Sequence, residues 1–241
     1  MDRTIVITGA SRGIGLATAE AFLAAGDRVL ALYHRHPEPV EALIARYPGR
    51  AFGYGCDLAK RESIAPLAAY CHSLFPQVDI LVNNAGIARQ QLFVDMTAEE
   101  WDGLWQLHVT APILLTQALL PAMLSRGQGQ IINVSSIWGR EGASCEVAYS
   151  CVKAAVIGFT QALAKEVGLM GVRVNAVAPG VIDTDMCAHL TADDRRALAE
   201  QTALGRLGTA QDVAGAIVML ASPQAAYITG AVLPVDGCFM G

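Results

Sequence analysis

Three side chains in the second half of the chain have the types and spacing expected of proton-transfer chemistry. Tyr149 and Lys153 are four residues apart, and Ser136 precedes Tyr149 by thirteen positions. Residues four apart on a helix lie on the same face, so the Lys153 ammonium can approach the Tyr149 phenol and favour its ionised form. A phenol whose pKa is lowered in this way is a usable acid near neutral pH. With Ser136 as a second hydroxyl, the set predicts protonation of an oxygen that gains negative charge.

A glycine-rich segment near the N-terminus supplies a second chemical element. Glycines recur at positions 9, 13 and 15 of Thr8-Gly9-Ala10-Ser11-Arg12-Gly13-Ile14-Gly15, between an apolar run and a helical pattern. In that context glycines permit a tight turn and let backbone amides and the positive helix N-terminus approach a pyrophosphate. We therefore expect the turn to bind a nucleotide. Together with the acid–base set, it predicts hydride transfer.

Short β-branched runs alternate with longer helical patterns, and these elements must position the two motifs. Predicted strands cover residues 4–8, 28–33, 51–56, 79–83, 130–135, 172–177 and 232–235, and predicted helices cover 15–25, 63–74, 98–126, 148–169 and 210–220. Nearly continuous apolar strands are typical of a parallel sheet covered on both faces. The sequence predicts a single α/β domain over residues 1–241, a doubly wound Rossmann-type fold with a parallel seven-stranded sheet flanked by helices. Ligands of such folds bind beyond the carboxyl ends of the strands.

Composition excludes several classes of function. The 241 residues carry a formal net charge of −5 with a sequence pI near 5.5, whereas nucleic-acid binding and docking on anionic membranes use clustered Lys and Arg. No stretch reaches the roughly 18 to 20 apolar residues of a membrane span, and the first residues do not resemble a signal peptide. The six cysteines show no metal-ligand or disulfide spacing. We expect a cytoplasmic protein that binds no metal, nucleic acid or membrane.

The end of the second predicted strand bears on which nucleotide is bound. A site for NAD usually has a carboxylate there for the ribose 2′-hydroxyl, but this chain has Tyr33, His34 and Arg35. Arg35 or His34, with Arg12 of the glycine turn, can neutralise a 2′-phosphate, because guanidinium binds phosphate in a bidentate fashion. The sequence therefore favours NADPH as the cofactor over NADH.

The motifs together resemble those of classical short-chain dehydrogenase/reductases over essentially the whole chain. The matching segments are residues 8–15, Cys56-Asp57-Leu58, Asn83-Asn84-Ala85-Gly86, Ser136, Tyr149-Ser150-Cys151-Val152-Lys153 and Pro179-Gly180-Val181-Ile182-Asp183-Thr184. The resemblance implies an NAD(P)-dependent oxidoreductase that acts on a carbonyl or the corresponding alcohol. It assigns proton donation to Tyr149 and a hydrogen bond to the same oxygen to Ser136. Lys153 would hold the cofactor ribose and lower the Tyr149 pKa.

The resemblance also implies cofactor contacts outside the glycine turn. They are Asp57 and Leu58 at the adenine, Asn84, Ala85 and Gly86 at the ribose, Ile182 and Thr184 at the nicotinamide carboxamide, and Pro179 and Gly180 on the same segment. Each group follows a predicted strand, so the resemblance and the predicted sheet place the cofactor along the same edge.

One position departs from the family pattern. The family has an asparagine on the long central helix, which holds a water that relays protons toward the lysine, and this chain has His108 there. Imidazole also donates and accepts hydrogen bonds, and unlike an amide it titrates near neutrality. The hypothesis is that His108 is catalytic, keeps the relay and adds a pH dependence to it. The alternative is a core histidine without a catalytic role.

Three segments are expected to line the substrate crevice, one after Ser136, one before Tyr149 and one after Thr184. The candidate substrate contacts are Trp138, Cys145, Glu146 and Met186. Residues 184–206, with a helical centre at 192–203, correspond to the mobile lid of the family, which excludes water once substrate is bound. Trp138 and Met186 indicate either apolar substrate contact or packing alone.

Several interpretations of the substrate stay open. The chain is similar to 3-oxoacyl-[acyl-carrier-protein] reductases, for which Arg126 offers a contact to an acidic carrier, whereas Met170 stands where a second base is usual. Residues 136–146 are also similar to the branch that reduces the 5-aminopentanone modification on elongation factor P, where Glu146 or Glu141 can pair with the substrate ammonium. A xenobiotic ketone and a sugar-derived carbonyl are further alternatives. A regulatory nucleotide-binding protein without turnover is another, although the intact acid–base set argues against it.

Assembly is implied by the resemblance. The predicted helices 98–126 and 148–169 carry more apolar residues than one core-facing stripe needs, and family members pair these helices into dimers and tetramers. We expect a homotetramer, with a dimer as the fallback. Its substrate would be a small ketone or a carrier-linked one.

Overall fold

The computed structural model describes residues 2–187 and 190–240 and contains a sheet of seven parallel strands. The strands are β1 (Thr4–Ile7), β2 (Arg28–Tyr33), β3 (Ala51–Gly55), β4 (Ile80–Asn83), β5 (Gly129–Val134), β6 (Val172–Pro179) and β9 (Val232–Val235), in the order β3-β2-β1-β4-β5-β6-β9. A separate two-stranded sheet pairs β7 (Ile182–Asp183) with β8 (Gly208–Thr209). The strand order reverses at β1: β2 and β3 lie on one side of it, and β4 and the later strands lie on the other. The segments that follow the neighbouring strands β1 and β4 therefore diverge, which opens a crevice at their carboxyl ends. The predicted doubly wound fold is confirmed.

Helices cover both faces of the sheet. They are α1 (Gly13–Ala24), α2 (Glu38–Arg46), α3 (Ile64–Leu74), α4 (Ala98–Trp105), α5 (Ala111–Arg126), α6 (Trp138–Glu141), α7 (Val147–Val167), α8 (Ala192–Glu200) and α9 (Ala210–Leu220). Along β1, Ile5 and Ile7 pack with α1, α2 and α9, whereas Val6 packs with α3, α5 and α7. Burial on both faces explains the continuous apolar runs.

The predicted extents hold for most elements, with four omissions, of which two are the two-residue strands β7 and β8. Helices α2 and α6 were not predicted, because both are short and lie in polar segments of the chain. The single domain over residues 1–241 and the lid over 184–206 stay predictions. Residues 1, 188, 189 and 241 within those ranges lie outside the described residues.

The predicted helical stretch 98–126 is confirmed in its bounds, and it contains a π-turn over Gln106–Thr110 that was not predicted. The amide of Ala111 donates to the carbonyl of Gln106, five residues back. Pro112 has no amide proton to give to the carbonyl of His108, so regular α-helical pairing is interrupted there. Such turns are frequent at functional sites, and this one contains His108.

Two helical stretches are long and apolar enough to cross a membrane by length and composition, although the sequence was expected to contain none. They are Ala98–Arg126 and Val147–Met170. Both supply buried side chains to the core beneath the sheet, among them Leu115 and Val167. A core helix meets the same criterion, so the criterion is weak evidence here.

Buried amides join the two central strands to the helices that carry the site. Asn83 of β4 and Asn133 of β5 are register partners, and Asn83 Nδ2 donates to Asn133 Oδ1 at 2.9 Å. Asn83 Nδ2 also lies 3.2 Å from Thr116 Oγ1 of α5, and Asn133 Nδ2 donates to Thr160 Oγ1 of α7 at 2.9 Å. The network fixes α5 and α7 relative to the carboxyl ends of β4 and β5.

Replacing Asn133 by alanine should lower the free energy of unfolding by about 2 kcal/mol, because the buried groups of Asn83 and Thr160 lose their partner. Urea and thermal unfolding measure the change. Gln130→Ala on the same strand is the matched control, since Gln130 makes one long bond of 3.3 Å to the carbonyl of Ala221. Equal losses for the two variants would contradict the role of the network.

Candidate active site

The predicted acid–base residues lie together beyond the carboxyl end of β5. Ser136 follows β5 by two residues, and α7 carries Tyr149 and Lys153. Ser136, Tyr149 and Lys153 are 7%, 9% and 4% exposed, and the Tyr149 hydroxyl is hydrogen-bonded to Ser136. Ser135 Oγ donates to the carbonyl of Lys153 at 2.9 Å, which ties α7 to the end of the strand. The structure therefore brings two hydroxyl donors to one point, with an ammonium nearby.

The electrostatics of Tyr149 differ from the expectation that Lys153 lowers its pKa. Burial raises the pKa of Tyr149 above its ordinary value, the Glu146 carboxylate raises it further, and the hydrogen bond to Ser136 offsets part of the rise. Lys153 Nζ donates to the carbonyl of Val134 at 2.9 Å and lies 5.5 Å from the centre of the Tyr149 ring. Burial lowers the pKa of Lys153 to about 8. Tyr149 is thus a protonated phenol at neutral pH, and Lys153 is the group that titrates nearer to neutrality.

The glycine turn packs so closely against neighbouring backbone that only glycine is accommodated at two of its positions. Gly9 has φ +66°, and a Cβ there would lie 2.8 Å from Ala85 Cα. A Cβ on Gly15 would lie 2.2 Å from the carbonyl oxygen of Gly9. Helix α1 begins at Gly13 without a side-chain N-cap, so its first amides are available to an anion. Residues 9–15 therefore fit the predicted pyrophosphate.

The segment after β4 braces this turn. Thr8 Oγ1 accepts hydrogen bonds from the amides of Asn84 and Ala85, both at 2.9 Å. Asn84 Nδ2 donates to the carbonyls of Thr8 and Gly9 at 2.9 and 3.1 Å. A Cβ on Gly86 would lie 2.5 Å from His108 Cε1. Asn84 thus uses its side chain to hold the turn, and Gly86 allows the close approach of His108.

The residues expected to select the nucleotide lie at the ends of β2 and β3. Arg12 and Arg35 are exposed. His34 Nε2 lies 3.7 Å from Asp57 Oδ2, so a carboxylate near the end of β2 comes from the segment after β3. Leu58, beside Asp57, is buried. Two cations therefore border the region where the adenosine end of a nucleotide would lie.

The segment after β6 forms another side of the crevice. Pro179 is the last residue of β6, and Gly180 packs against the segment after β9, where its amide donates to the carbonyl of Val235 at 3.1 Å. Ile182 is buried in β7. A Cβ on Gly13 would lie 3.4 Å from the Thr184 methyl group, so this segment contacts the glycine turn.

His108 packs directly against Tyr149. The imidazole is 2% exposed and meets the Tyr149 ring edge-on, with 5.6 Å between ring centres. Its Nε2 lies 2.9 Å from the carbonyl oxygen of Ile87 and 3.2 Å from the Ile87 amide. Burial and the positive charge of Lys153 lower the pKa of His108 well below its ordinary value. The imidazole is neutral at neutral pH, so the titration expected there is wrong for this environment.

A cavity of about 20 Å³ is lined by His108, Lys153 and Asn83, among other residues. His108 Nδ1 and Asn83 Oδ1 are buried and have no hydrogen-bond partner among the described residues. A cavity of this size has room for one water molecule. Most of its lining is apolar, but His108 Nδ1 and Asn83 Oδ1 are two acceptors to which a water there could donate.

Trp138 is partnered by a residue that the sequence did not point to. Trp138 begins α6, and its ring packs edge-on against Phe239 with 5.7 Å between centres. Phe239 is held in this position by an isolated antiparallel β-bridge with Thr202. Next to it, the amide of Met240 donates to the carbonyl of Gln201 at 2.8 Å. A lone aromatic residue near the end of the chain has no periodic signal. The contact shows that at least one face of Trp138 is occupied by packing.

The other predicted substrate residues lie around the crevice in different ways. Cys145 is half-buried with φ +62°, and Glu146 is close enough to Tyr149 to raise its pKa. Met186 is exposed. In the predicted lid the helix ends at Glu200 rather than at residue 203.

Arg126 lies near the amino ends of the strands, at the opposite end of the sheet from Tyr149. Its Nη2 donates to the carbonyl of Val78 at 3.0 Å, just before the amino end of β4. Met170 likewise precedes β6. The expected carrier contact through Arg126 is therefore not beside the mouth of this chain's own crevice.

Known proteins match the chain over almost its whole length. A sequence model of a family described as enoyl-(acyl carrier protein) reductase matches residues 9–239. The chain belongs to the short-chain dehydrogenase/reductase family. A 3-oxoacyl-[acyl-carrier-protein] reductase FabG of Vibrio cholerae is 42% identical over 236 residues, which cover 98% of this chain and 96% of the relative.

Two further relatives of this short-chain dehydrogenase/reductase cover similar lengths. FabG of Aquifex aeolicus is 40% identical over 235 residues, 96% of this chain and 95% of the relative. The uncharacterized oxidoreductase YmfI of Bacillus subtilis is 38% identical over 239 residues, 98% of each. The protein is an oxidoreductase that uses a nicotinamide cofactor and acts on a carbonyl group or the corresponding alcohol.

For reduction, kcat/KM should fall as the pH rises through about 8, because Lys153 loses its charge there. A lysine with a lowered pKa is charged below that value, so the loss lies on the alkaline side. Initial rates of NADPH oxidation between pH 6 and about 10 measure the profile. His108→Asn should keep the alkaline limb, since neutral His108 does not titrate in this range. If His108→Asn shifted the pH at which kcat/KM falls, the assignment of that fall to Lys153 would be wrong.

Proposed function

We propose that this short-chain dehydrogenase/reductase reduces the 3-oxo group of an acyl chain carried by an acyl-carrier protein. The observation that carries the proposal is the proximity of the Ser136 and Tyr149 side chains at the end of the sheet that also carries the glycine turn. Relatives of nearly equal length from Vibrio cholerae and Aquifex aeolicus are named as reductases of that substrate. The comparisons favour neither reduction of the elongation factor P modification nor a regulatory role without turnover.

The proposed cofactor is NADPH. Arg12 and Arg35 are exposed cations at the end of the crevice that would receive the adenosine, and guanidinium groups recognise a phosphate more strongly than a ribose hydroxyl. Residues 9–15 suit its pyrophosphate, because α1 begins there without a side-chain cap and its first amides can bind an anion. When bound, the cofactor supplies the hydride.

The chain's own residues supply the remaining chemistry. Tyr149 gives its phenolic proton to the substrate oxygen as negative charge develops there, and Ser136 donates a hydrogen bond to the same atom. The charged Lys153, 5.5 Å from the Tyr149 ring centre, stabilises the phenolate that is left. The buried surroundings strengthen both interactions, because little water screens them.

His108 would take part in returning a proton to Tyr149. If its Nε2 proton is donated to the carbonyl of Ile87, its Nδ1 is an acceptor that faces the cavity shared with Lys153. A water in that cavity would accept from Lys153 and donate to His108 Nδ1 and Asn83 Oδ1. This role needs a neutral imidazole, which agrees with the lowered pKa of His108.

The proposed setting is a cytoplasmic homotetramer that binds neither nucleic acid nor a membrane. Trp105, in the helical stretch Ala98–Arg126, and Val147, at the start of α7, are exposed apolar residues, as an interface between copies would require. The net charge of −5 agrees with the absence of polyanionic partners.

A substrate comparison tests the proposed activity. Oxidation of NADPH followed by absorbance should be fastest, in kcat/KM, with acetoacetyl-CoA as the surrogate of the carrier-linked 3-oxo substrate. Crotonoyl-CoA tests enoyl reduction, and a 5-aminopentanone amide tests the elongation factor P alternative. Tyr149→Phe should lower the rate with the preferred substrate by about 10² to 10⁴. A higher kcat/KM for either of the other compounds would overturn the proposed substrate.

Replacing Arg12 or Arg35 by alanine should raise the KM for NADPH about tenfold, because one charge-assisted hydrogen bond to the 2′-phosphate is lost. The KM for NADH should change little, so the ratio of the two measures the effect. Arg46→Ala is the matched control, since Arg46 stacks on Tyr47 at the far end of α2. A parallel rise for both cofactors would contradict the assignment of these arginines.

A further inference from the structure

A backbone hydrogen bond joins two loops at the mouth of the crevice. The amide of Gln91, in the segment between β4 and α4, donates to the carbonyl of Cys145 at 2.8 Å. Cys145 lies just before α7, and the amide of Ser150 donates to the carbonyl of Glu146 at 2.8 Å in the first turn of that helix. The position of Gln91 is therefore coupled to the start of the helix that carries Tyr149.

Cys145 has a backbone conformation that needs support. Its φ of +62° lies in the left-handed region, which costs a residue with a Cβ energy unless its surroundings hold it. The hydrogen bond from Gln91 is one such restraint, and another lies close by, where Ser150 Oγ accepts from the amide of Ala143 at 3.2 Å. Loss of the Gln91 contact would leave the loop before α7 less constrained.

Two side chains, Arg89 and Glu100, hold the side chain of Gln91 in place. Glu100 Oε1 forms an ion pair with Arg89, and Glu100 Oε2 accepts from Gln91 Nε2 at 3.1 Å. Arg89 Nε donates to Gln91 Oε1 at 3.0 Å, which closes a ring of three contacts. We call Arg89, Gln91 and Glu100 the latch.

Glu100 is also fixed to the body of the protein. Its Oε2 accepts from the amide of Thr97 at 3.0 Å, and its own amide donates to Thr97 Oγ1 at 3.2 Å, which caps α4. Helix α4 packs on α7 through a small buried cluster that includes Leu104 and Val152. The hydrogen bonds from Thr97 and Gln91 and the charge of Arg89 lower the pKa of Glu100, so the latch is ionised at neutral pH.

The contacts of Glu100 exceed what helix capping requires. A capping box needs only the reciprocal bonds between the N-cap and the third helical residue, and Thr97 and Glu100 already provide them. The bonds to Arg89 and Gln91 are additional to this cap. They connect α4 to the loop that holds Cys145.

We propose that Glu100, with Arg89 and Gln91, positions the loop that leads into α7 and thereby the Tyr149 phenol for proton donation. The inference rests on the proposed role of Tyr149. Glu100 does not touch the reacting atoms and acts through Gln91 and Cys145. The Arg89 and Glu100 side chains are 46% and 23% exposed, so water screens the charges of this ion pair. Separating the two side chains therefore costs little free energy.

Hydrogen exchange of the whole protein tests the coupling without turnover. In Glu100→Ala, amide exchange should speed up together in residues 86–96 and 142–150. Arg89→Ala should do the same, and it keeps the Thr97 capping box. Glu99→Ala is the matched control, because it removes an exposed acid from the first turn of the same helix outside the latch. Faster exchange in residues 86–96 alone would overturn the coupling.

Kinetics test the consequence for catalysis. With acetoacetyl-CoA and NADPH, Arg89→Ala and Glu100→Gln should each lower kcat about tenfold, since a small displacement of an acid is costly, while the Kd for NADPH stays the same. The double variant should lose no more than either single one, because both open one latch. Losses that multiply, or an unchanged kcat with faster exchange, would overturn the positioning role. If the wild type turned over a different carbonyl substrate, the same comparison on that substrate would test the latch independently of the proposed one.

Discussion

A buried ammonium needs dipoles to replace its water, and Lys153 obtains one from the carbonyl of Val134 at the carboxyl end of β5. That requirement constrains the site. It fixes α7 against β5, where Ser135 also binds the carbonyl of Lys153, and it brings Tyr149 beside Ser136. Because β5 lies between β4 and β6, the segments after all three strands meet at the same edge. The hydrogen bond of the buried Lys153 and the parallel order of the strands thus place the catalytic side chains and the crevice segments at one end of the sheet.

Much of the fold and of the site could be predicted because both depend on local signals. The strand runs, the glycine turn and the four-residue spacing of Tyr149 and Lys153 are local, and they gave the sheet and the acid–base set. The π-turn at Gln106–Thr110 also had a local signal in Pro112, whose missing amide proton forbids one α-helical bond. It was missed because an apolar helical pattern continues on both sides of the proline.

The rest depends on burial and on contacts between distant segments. The direction of the Tyr149 pKa shift was predicted wrongly because spacing shows which charge is near but not how far water is excluded. The titration of His108 failed for the same reason. The contacts of Phe239 with Trp138 and of Gln91 with Cys145 join residues more than 50 positions apart, and no periodicity within either segment indicates them.

The ion pairs of the protein differ in exposure, and three of them illustrate the range. Arg3 and Asp27 join the N-terminus to the turn before β2, and the Asp27 side chain is fully buried. The pairs that hold segments around the crevice, Arg89 with Glu100 and Arg195 with Asp183, are partly exposed. Exposed pairs contribute little to stability, whereas breaking a buried pair is costly. Breaking the Arg89–Glu100 or Arg195–Asp183 pair should therefore cost less stability than breaking the Arg3–Asp27 pair, as segments that admit a substrate and then exclude water would require.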